Sequence, residues 1–113
     1  MSKLPPIDPR VVSELRGLMG DAYLTVYEAF IRSCDQNMTD LSAAVKTSEL
    51  QLIQSIAHTL KGSSANIGAG KFSEISKRIM DDARNGLASD YRLLLDDLQQ
   101  EYDRVRDVII TFK

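Results

Sequence analysis

The chain has 113 residues, 43% of them hydrophobic, a formal net charge of −2 and one cysteine. That length supports a single domain, residues 1–113, with a modest core that needs no metal or disulfide staple. The composition excludes an intramolecular disulfide, points to a reducing cytoplasm, and weighs against a nucleic-acid or anionic-membrane partner.

The longest apolar runs, residues 93–95 and 108–110, fall far short of a membrane span, and residues 1–10 lack the apolar stretch of a signal peptide. All three prolines lie in the first nine residues, so the rest of the chain is free to be helical. A short helix is predicted over about residues 8–19, with Asp8 as N-cap, Pro9 at the first helical position and Gly20 closing it.

A second helix is predicted over about residues 21–46. Leu24, Tyr27, Ile31, Cys34, Met38, Leu41 and Val45 form its apolar seam at steps of three and four. Tyr23 and Phe30 fall off that seam; they are either buried or part of an exposed apolar docking patch. The third helix, about 49–67, opens with Ser48 and Gln51 at capping-box spacing. It buries Ile53, Ile56, Ala57, Leu60, Ser64 and Ile67 and stops at Gly68. The fourth, about 70–85, buries Phe72, Ile75, Ile79, Met80 and Ala83 and stops at Asn85-Gly86. The fifth, about 89–112, is capped by Ser89 and carries Tyr91, Leu94, Leu95, Leu98, Tyr102, Val105, Ile109 and Phe112.

No segment alternates with the period of two that a strand requires. The short connections force antiparallel neighbours, which makes the fold all-α: an up-down-up-down four-helix bundle with a short N-terminal helix.

The third helix carries the only histidine. At 100° per residue, His58 lies roughly 150° from the buried direction of its helix, and Gly62 is nearly opposite the core. Gln51, Gln54 and Ala65 share the outward half, and Lys61 sits on the flank. A lone surface histidine usually does nothing, but Gly62 shifts that balance. Glycine inside a helix costs about 0.5–1 kcal/mol relative to alanine. Helix–helix packing does not account for an outward glycine, whereas at i+4 from His58 it leaves the ring uncovered. Lys61, at i+3, is either an ordinary solvated charge or a point charge for an anion attached to the ring. Ser64 falls on the buried side, where it bonds back to its own helix or lets helices approach; Ser63 need do no more than that.

From His58 to Ala69 the sequence reads HTLKGSSANIGA. There the chain resembles the histidine-phosphotransfer (HPt) domains of multistep phosphorelays, whose pattern is His-x-Leu-Lys-Gly-Ser-Ser, then three residues, then Gly-Ala or a close variant. The resemblance implies that His58 accepts a phosphoryl group on Nε2 from a phospho-aspartyl receiver domain or a kinase and passes it to the aspartate of a response regulator. It implies that Lys61 neutralises the phosphoryl charge, that Gly62 gives the receiver access, and that Gln54 and Ala65 lie on the docking face. Some members orient the imidazole with a glutamine 22 positions beyond the histidine; here that residue is Met80, which leaves water as the default partner of Nδ1. Lys77 and Arg84, on the same helix as Met80, are either further positive charge at the site or solvated surface residues.

The expected protein is a monomeric phosphocarrier without turnover of its own and without a cofactor, the Mg²⁺ of the reaction belonging to the receiver. Its partners would be response-regulator receivers and a sensor histidine kinase. An imidazole in water is largely neutral at cytosolic pH and needs no base to act as a nucleophile. The starting methionine favours a free-standing carrier over a piece of a hybrid kinase. The competing reading is an adaptor that binds or sequesters a receiver without being phosphorylated. Metal and hydrolase chemistry fit poorly. One histidine and one cysteine do not build a usual zinc site. Lys61-Gly62 reverses the order of a P-loop. The pairs Asp81–Asp82 and Asp96–Asp97 read as solvated faces.

Overall fold

The computed structural model describes residues 4–87 and 89–113. Among the described residues five α-helices follow one another: α1 (Pro9–Met19), α2 (Tyr23–Lys46), α3 (Leu50–Asn66), α4 (Gly70–Arg84) and α5 (Tyr91–Ile110), with one 3₁₀ turn, Gly20–Ala22, between α1 and α2. There is no strand among the described residues. Helices α2 to α5 form the bundle. Each packs on its chain neighbours, α5 closes against α2, and α3 and α4 make the most extensive pairing. The molecule measures 44 × 28 × 20 Å.

Helix α1 starts as its sequence dictates. The Asp8 carboxylate accepts from the Arg10 N–H at 2.9 Å and Pro9 opens the first turn. Three turns close the long helices by one device, the Schellman pairing of two N–H groups beyond the helix with carbonyls inside it. After α3, Gly68 at φ 82° bonds Ala65 O and Ala69 bonds Ser64 O. After α4, Gly86 at φ 64° bonds Ala83 O and Leu87 bonds Asp82 O. After α2 the left-handed position is held by Ser48, at φ 56°, with Ser48 N–H on Val45 O and Glu49 N–H on Ala44 O.

Ser48 therefore finishes α2 and does not cap α3, whose N-cap is Glu49 and has no side-chain capping bond. Ser89 is likewise not the cap of α5. Asp90 fills that role by accepting from the Leu93 N–H, and the Ser89 hydroxyl donates to Asp82 at 2.6 Å. Asp82 is accordingly an anchor for the α4–α5 connection, its side chain only 15% exposed, and not part of a solvated face.

The core is one cluster running the length of the bundle. On α2 the buried line is Tyr23, Tyr27, Phe30, Cys34, Met38, Leu41 and Ala44, with Leu24, Ile31 and Val45 only half-buried. Tyr23 and Phe30 are thus core residues. Ring contacts explain that rotation: Tyr23, Tyr27 and Phe112 pack within 5.1–6.2 Å of one another, and Phe30 meets Phe72 edge-on at 6.1 Å. On α4 and α5, Ser76 and Glu101 are buried while Ile75, Leu95 and Tyr91 are half-buried, as is Phe112 in the turn that follows α5. The Ser76 hydroxyl bonds Phe72 O, and Glu101 holds Arg104 at 2.9 Å. Tyr102 donates to the Asp35 carboxylate, joining α5 to α2.

The lead segment and α1 seal the end of the bundle at which α3 turns into α4. Ile7 is buried, the Asp8 N–H donates to Gly68 O at 2.9 Å, and the Tyr27 hydroxyl donates to Ile67 O at 3.1 Å. The α3–α4 hairpin is thereby held at its turn as well as along its length, which gives the outer face of α3 a rigid base.

Candidate functional site

All six expected core positions of α3, Ile53, Ile56, Ala57, Leu60, Ser64 and Ile67, are buried, so the opposite face of the helix is set by its period alone. His58 is exposed there. Ser64 adds local support from the buried side, its hydroxyl donating to Leu60 O at 2.6 Å. Ser63 makes a weaker bond to the same carbonyl, at 3.4 Å. The Ser73 hydroxyl of α4 donates to Lys61 O at 3.0 Å and ties the two helices together beside the histidine.

Gly62 is exposed, and a Cβ built on it would meet nothing within 4 Å. No packing contact requires a glycine at this position. Ala65, one turn further along, is also exposed, and Lys61 is half-buried on the flank.

On the other side of the ring, α3 and α4 enclose an open groove of about 480 Å³ lined by Gln51, Gln54, Ser55, His58, Met80 and Arg84. Gln54 and Arg84 are therefore brought to the histidine. Gln51 and Ser55 join them, at i−7 and i−3 from His58, spacings that the helical period makes visible in retrospect. The Nδ1 atom does not depend on water for a neighbour: it lies 3.4 Å from the Met80 sulfur, which is itself 3.8 Å from Arg84 Nη2.

Lys77 does not line the groove; its ammonium pairs with Asp81 at 2.7 Å. The Asp81 carboxyl is held below the usual carboxylate range, chiefly by the Lys77 hydrogen bond and further by the fields of Lys77, Arg84 and Lys61. Asp81 is thus the ion-pair partner of Lys77, and the fields of Arg84 and Lys61 reach the same carboxylate. Among the described residues no group of three or more histidine, cysteine or acidic side chains could hold a metal ion.

The sequence pattern of the Hpt domain family matches residues 25–108, which span the whole bundle from α2 to α5. The chain belongs to the Hpt domain family. Its structure is similar to the crystal structure of histidine-containing phosphotransfer protein B (HptB) from Pseudomonas aeruginosa PAO1, with a TM-score of 0.92 and 27% sequence identity over 96% of this chain and 95% of that one. No match to a curated protein is found. The Hpt chain is a carrier of histidine phosphotransfer in two-component signalling. No helix among the described residues is long and apolar enough to cross a membrane.

Proposed function

We propose that His58 is the phosphoacceptor and that the face of α3 around it docks receiver domains. One observation carries this reading: the only histidine stands exposed on a braced helix, beside a glycine whose missing side chain no packing contact requires. The Nε2 lone pair attacks the phosphorus of an aspartyl phosphate on a receiver or of a phosphohistidine on a kinase. The bond from phosphorus to that oxygen or nitrogen breaks, and its electron pair leaves with the donor side chain. The reverse step delivers the group to the aspartate of a second receiver.

Such a transfer depends on alignment and charge neutralisation more than on acid–base work. Lys61 supplies positive charge to the phosphoryl oxygens, and Arg84 lines the groove on the other side of the ring. Lys77, engaged with Asp81, contributes through the field of the pair. Gly62, Ala65 and Gln54 form the surface on which the receiver rests, and the receiver brings its own Mg²⁺. The protein acts as a monomeric carrier with no turnover of its own, between a sensor histidine kinase and response regulators.

Incubation with a radiolabelled phospho-receiver tests this directly. The expected product is acid-labile, alkali-stable label on the carrier, abolished in His58→Gln. Label of the same stability on that variant would sink the assignment. Stable complexes with receivers and no label at all would identify an adaptor.

A further inference from the structure

Nε2 can act as a nucleophile only while its lone pair is free, which in a neutral imidazole requires the proton to sit on Nδ1. Unconstrained histidine side chains in water favour the opposite tautomer. The proton's position is set by what the other nitrogen meets. In this chain Nδ1 meets the sulfur of Met80, 3.4 Å away. A thioether has no hydrogen to give and only a weak lone pair to offer, so a hydrogen bond between these atoms can run only from the ring nitrogen to the sulfur. Met80 is a buried side chain, 3% exposed, and its sulfur lies 3.8 Å from the guanidinium of Arg84, one turn along α4. The acceptor is therefore fixed from two sides before any partner arrives.

We infer that Met80 is a positioning residue for His58, its sulfur holding the imidazole as the Nδ1–H tautomer with Nε2 turned outward. The inference rests on the phosphoacceptor reading above and specifies how that site is prepared. When the Nε2–P bond forms and the donor's bond to phosphorus breaks, the proton stays on Nδ1. On the return step the ring departs as neutral imidazole, so no proton has to be found elsewhere. Arg84 is the charged residue that lines the groove with His58, Lys61 lies one turn along α3 and the Lys77–Asp81 pair lies on α4, and among the described residues no carboxylate is hydrogen-bonded to Nδ1. A thioether holds that proton less firmly than an amide or carboxylate oxygen would.

The lone histidine makes the test unambiguous, since ¹⁵N-histidine labelling yields one imidazole in the NMR spectrum. In its neutral form the native ring should show a protonated Nδ1 and an unprotonated Nε2. A native ring found mainly as Nε2–H would overturn the inference without any variant. Met80→Leu conserves volume and keeps the packing. It should move the ring toward the Nε2–H form and slow phosphorylation by a receiver roughly two- to tenfold, the size expected from one modest hydrogen bond. Met80→Gln, which restores an acceptor, should recover both readings. Unchanged ¹⁵N shifts in Met80→Leu would refute the role. If the native protein takes no label, the phosphoacceptor reading falls, while the tautomer measurement still decides what Met80 does.

Discussion

Two glycines six residues apart show how differently one residue type is used in this chain. Gly68 closes α3 at φ 82°, and a Cβ there would sit 2.8 Å from Val11 Cβ, with both methyls of that valine within 3.2 Å. Gly62 lies inside the same helix, carries no left-handed φ, and faces open space. The first glycine is demanded by the fold: the turn needs its conformation and α1 needs its lack of bulk. The second is needed by nothing within the molecule. A residue that costs helix stability and has no internal reason to be there is what the proposed docking of a receiver beside His58 would call for. The same division separates the sealed end of the bundle, where Ile7, Tyr27 and Ile67 are buried, from the bare face of α3.

The largest effect should come from exchanging the two roles. Gly68→Ala combines a strained left-handed residue with a contact that Val11 cannot easily relieve, and should cost about 2–4 kcal/mol. Urea unfolding measures it. A loss below the strain expected for the φ angle alone would mean that α1 is not seated as described. His58 labelling should survive in whatever fraction remains folded, because the turn does not touch the ring.

The sealed end should also respond to alkali. Burial pushes the Tyr27 phenol from its ordinary 10.0 up to about 12, with the neighbouring Tyr23 contributing. A folded-state pKa above the unfolded one means that stability is complete below pH 10 and is lost as pH rises through about 12. Tyr27's share is on the order of 2–3 kcal/mol. Cys34, pushed to about 12 by burial, steepens the same slope, as does Tyr102, raised by burial and its bond to Asp35. Denaturation curves at pH 9 and pH 11.5 should differ by less in Tyr27→Phe than in the native protein. Equal differences would place the tyrosine hydroxyl outside the sealed region.

Much of this contrast is legible in the sequence because it lives on one helix. The direction of His58, Gly62 and Ala65 follows from 100° per residue and the buried positions of α3 alone. Gly20, Gly68 and Gly86 announce their turns because left-handed residues favour glycine. What the sequence conceals depends on how helices rotate against each other. The buried line of α2 runs through Tyr23 and Phe30, and not through Leu24 and Ile31, because the rings of Phe112 and Phe72 meet it there. Ser48 hides a left-handed turn behind a residue type that usually starts helices. The contact between Nδ1 and the Met80 sulfur joins two helices across their interface. From the sequence, Met80 registers as a buried residue of the fourth helix and as a missing glutamine.

On the bare face, bulk should matter to the partner and not to the fold. Gly62→Gln adds a side chain beside the ring, with no clash inside the molecule, and should slow transfer to and from receivers by on the order of 10- to 100-fold through misalignment. Its unfolding midpoint should be equal to or above that of the native protein. Transfer rates that do not change would remove Gly62 from the docking surface and leave its presence without a physical explanation.

The smallest effect is the most discriminating, since it has the opposite sign to the first. Gly62→Ala places a methyl where nothing lies within 4 Å and replaces a helix-weakening residue with the strongest helix former. The protein should gain about 0.5–1 kcal/mol, part of it through a less flexible unfolded chain. The same Gly→Ala change at position 68 is destabilising, so the pair isolates environment from residue type. A destabilised Gly62→Ala would show that α3 is packed against something on its outer face, and the bare surface beside His58 would have to be abandoned. Stabilisation accompanied by a modest loss of transfer would show a carrier that gives up part of its helix stability to keep its one histidine accessible.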